Sequence, residues 1–203
     1  VPLDVTDAHA IESAHDEVAA ELGQVDVLVA NAGGPPPGSF EELDDDALRH
    51  AFNLTTASAW RLAHAALPGM KERGSGVIIF LTSSSTKEVI SGLLLSNMMR
   101  AAVVGMAKTM SKELGPHGIR VLCVAPGRIE TARLQSLDEN KAKKTGKSRQ
   151  EVADAFQETI PLGRYGRTEE FGDVVAFAAS GRASYLTGTT LMVDGGLTST
   201  THA

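Results

Sequence analysis

An α/β fold with a doubly wound parallel sheet is predicted by three observations. Short runs rich in β-branched residues and apolar on both faces recur along the chain. Helical patterns separate them, and turn residues bound them. The runs are Val25–Ala30 before Asn31-Ala-Gly-Gly34, Val77–Thr82 after Gly74-Ser-Gly76, Val121–Ala125 before Pro126-Gly127, and Thr189–Val193 before Asp194-Gly-Gly196. A strand apolar on both sides is expected under helices on both sides.

The helices follow in order. Thr6 and Asp7 can cap a helix running to about Leu22, with Gly23 as its stop. Asp44 to about Met70 opens on an acidic turn that suits a helix N-terminus. Ser96–Leu114 carries Met99, Ala102, Val103, Met106 and Met110, then ends at Gly115-Pro116. Because it also carries Met98 and Val104, it is expected to be buried on more than one side. Thr168-Glu-Glu170 opens a last helix through Ala179. The whole chain, 1–203, reads as one domain with no internal repeat. Within it, about 131–160 is polar and rich in interleaved charges. It reads as a solvated helical insertion and, because it follows a strand end, also as a loosely packed lid.

Composition narrows the class. The 203 residues carry 19 Lys+Arg against 25 Asp+Glu, a net charge of −6, with 42% hydrophobic residues. The apolar fraction excludes a disordered chain, and the acidic balance argues against nucleic acid as the main partner. The single Cys cannot form an internal disulfide, and Cys123 reads as core. No run approaches the roughly 20 apolar residues of a membrane span, and the first residues carry no secretory signal, so a cytoplasmic protein without membrane partners is expected. The six His show no metal spacing, and Asp44-Asp45-Asp46 is explained by the helix dipole, so no metal site is expected.

The chemistry lies in three strand-end motifs: Asn31-Ala32-Gly33, Thr82-Ser83-Ser84-Ser85, and Pro126 to Thr131. Neighbouring parallel strands would bring them into one crevice of Gly-bearing backbone and small hydroxyls, a surface suited to ribose and amide groups. Ser83 has a plainer reading as well, since Ser and Thr often satisfy backbone groups at strand ends. Tyr165 and Tyr185 read as packing residues.

With these residues in view, the sequence resembles the short-chain dehydrogenase/reductase family, and within it the 3-oxoacyl-carrier-protein-reductase-like branch. The likeness rests on Asp4-Val5, Val29-Ala-Asn-Ala-Gly33, Asn53 in Phe-Asn-Leu-Thr, Ser83, Gly118-Ile-Arg-Val121, Ala125-Pro-Gly127 with Thr131, Ile160-Pro-Leu-Gly163, and Tyr185-Leu-Thr-Gly188 before Val193-Asp-Gly-Gly196. It implies a Rossmann-type fold that binds NAD or NADP and an oxidoreductase acting on a small-molecule carbonyl/alcohol pair. It also implies that Asp4 and Val5 lie near the adenine and Asn31, Ala32 and Gly33 beside the cofactor ribose. Pro126, Gly127, Ile129 and Thr131 would lie near the nicotinamide. Asn53 and Ser83 match the family's catalytic Asn and Ser, and the helix Ser96–Leu114 matches one that pairs with its copy, so a homodimer or homotetramer is expected.

Two departures stand out. Where the family has Tyr, thirteen positions after Ser83, this chain has Ser96; where it has Lys, four further on, it has Arg100. A serine hydroxyl is a far weaker acid than a phenol, and Arg does not relay a proton as Lys can. Arg100 can still donate to ribose hydroxyls, so it is expected to serve the cofactor. The second departure is that no Gly-x-x-x-Gly-x-Gly turn follows a strand. The first two βα units of the family, roughly 50–60 residues on the ~30-residue scale of a βαβ unit, are lacking, which leaves an unpaired edge on the Val25–Ala30 strand. A fragment of a longer chain is the favoured explanation, with edge repair by a rearranged strand or by oligomerisation as the alternative. Function therefore stays between an oxidoreductase with a degenerate catalytic set, a cofactor-dependent enzyme of altered chemistry in which a substrate group or water supplies the proton, and a non-catalytic binding or scaffold protein on the same fold.

Overall fold

A computed structural model describes residues 1–200; His202 lies outside the described residues. Four strands form one parallel sheet in the order β1-β2-β3-β4: β1 Val27–Ala30, β2 Gly76–Leu81, β3 Ile119–Pro126 and β4 Thr190–Val193. Register is continuous across the centre, with Ile79 opposite both Val29 and Leu122. Alternation along β2 divides the core. Ile78 and Phe80 join Val121 and Cys123 beneath helices α3 (Ser58–Arg73) and α4 (Leu94–Leu114). Ile79 and Val124 face the opposite way, onto Phe171, Val174, Val175 and Ala178 of α7 (Thr168–Ala179). Helices therefore cover both faces of the central strands, as doubly wound sheets require.

Local signals set the boundaries. Asp7 caps α1 (Ala8–Leu22) by accepting from the His9 and Ala10 N–H groups. Asp44 does the same for Ala47 at the start of α2 (Asp45–Ala51). The long helical stretch runs past Met70 to Arg73, and its middle, Phe52–Ala57, is π-helical, an insertion that periodicity does not reveal. No described helix is long and apolar enough to cross a membrane.

One burial expectation is corrected, and a second is met on one side only within the single chain. On β1, Val27 and Val29 are 40% and 41% exposed, so one face of this edge strand is uncovered; among the described residues it ladders to β2 alone. On α4, Met98 and the residues of the outward face remain open, while Leu95, Met99, Val103 and Ala107 are buried. None of the described residues covers that outer face, whose expected cover was a second copy of the chain.

Candidate functional site

The C-terminal ends of β1, β2 and β3 open into one cleft of about 1210 Å³. Residues 31–34, 82–84 and 126–129 all line it, so the three predicted motifs converge. Gly127 is required at the tip of β3: a methyl group there would strike the backbone and Cβ of Asp194, which follows β4. Asp194 in turn accepts from the Gly196 N–H at 3.0 Å and from the N–H and hydroxyl of Thr198 at 2.9 and 2.7 Å, which fixes Leu197 and Thr198 at the cleft wall.

Ser83 extends from the end of β2, and its Oγ accepts the Ser85 N–H at 3.1 Å. Ser96 and Arg100, one turn apart on α4, also line the cleft, and both are buried. The Arg100 side chain does not stand free for a ribose. Its Nη1 donates to the Leu81 carbonyl at 2.6 Å, and its Nη2 lies 3.5 Å from the carbonyls of Ala32 and Gly33. The guanidinium thus ties the tips of β1 and β2 together. Burial, with Arg133 adding to it, brings its pKa down to about 10, which leaves it cationic at neutral pH.

Ile129 and Thr131 are at the cleft, where Thr131 caps α5 (Ala132–Thr145) by accepting from the Leu134 N–H at 3.2 Å. Three implied site residues are not brought to it. Asn53 donates through Nδ2 to the Thr6 carbonyl at 3.0 Å and accepts from Arg61 at 2.6 Å. These bonds staple the N-terminal segment to the π-helical stretch, so the amide is used for structure. Asp4 accepts from the N–H and hydroxyl of Thr6, and neither Asp4 nor Val5 lines the cleft.

Neither tyrosine supplies a phenol there. Tyr165 is buried and donates to Asp138 at 2.9 Å; burial and that carboxylate push its pKa up to about 12. Tyr185, expected to pack, is 101% exposed.

The polar insertion is α5 followed by α6 (Arg149–Gln157), and it covers part of the cleft with Leu134, Leu137 and Phe156. It is better anchored than a loose lid. Arg128, just past β3, donates to the buried Asp138 of α5 at 2.9 Å and lies 3.1 Å from the Phe156 ring centroid. The charges that read as solvated include one buried ion pair.

Sequence reasoning missed Arg133, Glu88 and the α7 wall of Phe171, Val175 and Ala179. Arg133 was within reach, since it sits in the first helical turn after a strand-end motif. The α7 wall was not, because its position depends on which sheet face the helix covers.

Comparison with known proteins agrees with this architecture. The family model described as enoyl-(acyl carrier protein) reductase matches residues 1–198. The NADPH-dependent reductase BacG of Bacillus subtilis is 32% identical over 193 residues, covering 95% of this chain and 74% of that protein. The 3-oxoacyl-[acyl-carrier-protein] reductase FabG of Salmonella typhimurium is 34% identical over 195 residues, covering 96% and 75%. The crystal structure of YwfH, an NADPH-dependent reductase involved in bacilysin biosynthesis, superposes with a TM-score of 0.92 at 31% identity, over 97% of this chain and 76% of that one. The parallel sheet, the converging strand-end loops and these matches together make the chain a member of the short-chain dehydrogenase/reductase family, in its acyl-carrier-protein-reductase-like branch.

Proposed function

We propose that this chain is an NAD- or NADP-linked oxidoreductase acting on a small-molecule carbonyl/alcohol pair in the β1–β3 cleft. The supporting observation is the convergence of residues 31–34, 82–84 and 126–129 on one cavity that also holds Ser96 and Thr131. Its polar set fits the ribose and carboxamide end of a dinucleotide: the backbone around Gly33 and Gly127 at the cleft wall, the Asn31 amide, and small hydroxyls. The dinucleotide, when bound, supplies or accepts the hydride. The residues of the chain orient the substrate: Ser83 and Ser96 offer hydroxyls to a carbonyl oxygen, and Arg100 holds positive charge behind them. Among the described residues the lining holds no Tyr, His, Lys or Cys, the side chains that most often hand a proton to a carbonyl oxygen in such a reduction.

A second reading, a non-catalytic binding protein on the same fold, is favoured by one observation. Arg100 is committed to the carbonyl at the end of β2 and to those of the loop after β1, a structural duty. Nicotinamide fluorescence on mixing with NADH or NADPH, followed by assay over a panel of ketones, separates the two. The expected result is enhanced fluorescence with slow turnover. The double variant Ser96→Tyr with Arg100→Lys should raise kcat by about a hundredfold, the lower end of the range for a placed acid. Binding without turnover in both forms supports the scaffold, and absence of binding overturns the cofactor assignment.

We further propose that the exposed outer face of α4 with Met98, together with the exposed Phe52 and Trp60 of the preceding helical stretch, pairs with a second copy in a homodimer or homotetramer.

A further inference from the structure

The charges of the cleft do not balance. The chain as a whole carries −6, yet the titratable residues lining the cavity are Glu88, Arg100, Arg128 and Arg133. Arg128 is neutralised by Asp138, and Glu88 accepts from the N–H and hydroxyl of Ser199 at 3.3 and 3.4 Å. Arg100, Arg133 and Glu88 remain outside any ion pair, a surplus of one positive charge in the lining, and neither arginine has a carboxylate at ion-pair distance among the described residues.

Their surroundings differ in a useful way. Arg100 is 9% exposed, and its buried Nε has no hydrogen-bond partner. A buried cation without a counter-charge is costly, and a ligand anion relieves that cost when it enters. Arg133 is exposed and reaches from α5 across the loop after β1, donating through Nη2 to the Pro35 carbonyl at 3.0 Å. Its guanidinium lies directly over Gly34, where any side chain would displace it. The absence of a Cβ at Gly34 thus brings the Arg133 cation to the cleft rim, close enough to perturb Arg100 electrostatically. The planar fork of a guanidinium matches a carboxylate bidentately.

We infer that Arg133, backed by the buried charge of Arg100, forms an oxyanion subsite and that the molecule reduced or oxidised in this cleft is a carboxylic acid. The inference deepens the oxidoreductase reading and rests on it for the word substrate; the subsite itself does not require turnover. The same chemistry would also hold a dinucleotide phosphate, so the test distinguishes the two sources.

The experiment is isothermal titration of the wild-type chain, Arg133→Gln and Arg133→Lys with 2-oxo-4-phenylbutyrate and with its methyl ester, each with and without NADPH. Inorganic phosphate and NADPH alone are titrated in parallel. Wild type should bind the acid about tenfold or more tighter than the ester, as expected for one charge-assisted contact. Arg133→Gln should abolish that preference while leaving the ester unchanged, and Arg133→Lys should restore part of it. Arg133 is exposed, so these variants are expected to fold, and circular dichroism checks that they do. Equal affinity for acid and ester, or a preference that survives in Arg133→Gln, overturns the subsite. No acid preference, with phosphate or NADPH affinity falling tenfold in Arg133→Gln, assigns the arginine to the dinucleotide and overturns the carboxylate. If NADPH fails to bind but the acid preference holds, the oxidoreductase reading fails and the anion subsite stands.

Discussion

Asp138 is the residue that holds the cleft cover in place. It is buried and accepts two hydrogen bonds, one from Arg128 and one from Tyr165, each at 2.9 Å. Replacing it with Ala leaves the Arg128 charge in a mostly buried position without its carboxylate, a loss of roughly 3 kcal/mol on the scale of broken buried ion pairs. Asp138→Ala should therefore lower the melting temperature by roughly 6–12 °C for a chain of this size, measured by calorimetry. This triad could not be read from the sequence, since Asp138 sits among charges that pattern as a solvated face. Other residues were legible. Ser83 stood in a strand-end motif, Ser96 and Arg100 followed from the spacing of the family that the sequence resembles, and all three reach the cleft. The duty of Arg100 was not legible, because spacing fixes the Cα while the side-chain direction depends on which carbonyls are left unpaired at the tips of β1 and β2.

Among the elements, α7 matched its sequence boundaries throughout, from Thr168 to Ala179. Its start carries a charge device. Glu170 accepts from Arg164 at 2.7 and 2.8 Å and from the Arg167 N–H at 2.8 Å, and its pKa falls from 4.5 to about 2, the Arg164 bond being the largest cause. A carboxylate whose pKa is depressed on folding adds stability above its unfolded pKa and loses it as pH drops toward the folded one. The melting-temperature gap between wild type and Glu170→Gln should accordingly be full at neutral pH and shrink as pH falls from 4.5 to about 2. A gap constant across that window would show that the carboxylate charge is not what matters. Strand β1 marks the limit of element-level reading. Its run of β-branched residues predicted a strand correctly, but the cover of each face depends on neighbours that local pattern does not specify.

At the scale of the whole molecule, the sheet places every candidate site residue that reaches the cleft at one end of three adjacent strands or in the loops, helix starts and helix faces that border them. That much was readable, because parallel order fixes which loops share a rim. Which apolar surfaces stay open was not. The outer face of α4 and the exposed Phe52 and Trp60 lead to the expectation that analytical ultracentrifugation at micromolar concentration gives a dimer or tetramer. Met98→Glu, which puts a charge on that face, should shift the distribution toward monomer.

The other open surface, the flank of β1, imposes a rule of direction on whatever joins it. Every ladder in this sheet is parallel, so a newcomer that prolongs the order must run the same way as β1. Two identical chains related by a twofold axis would present this margin to each other in opposite senses, so self-association there breaks the order. A twofold pairing at this flank would make the sheet mixed, and a same-sense addition there has to come from a segment that is not the twofold image of β1.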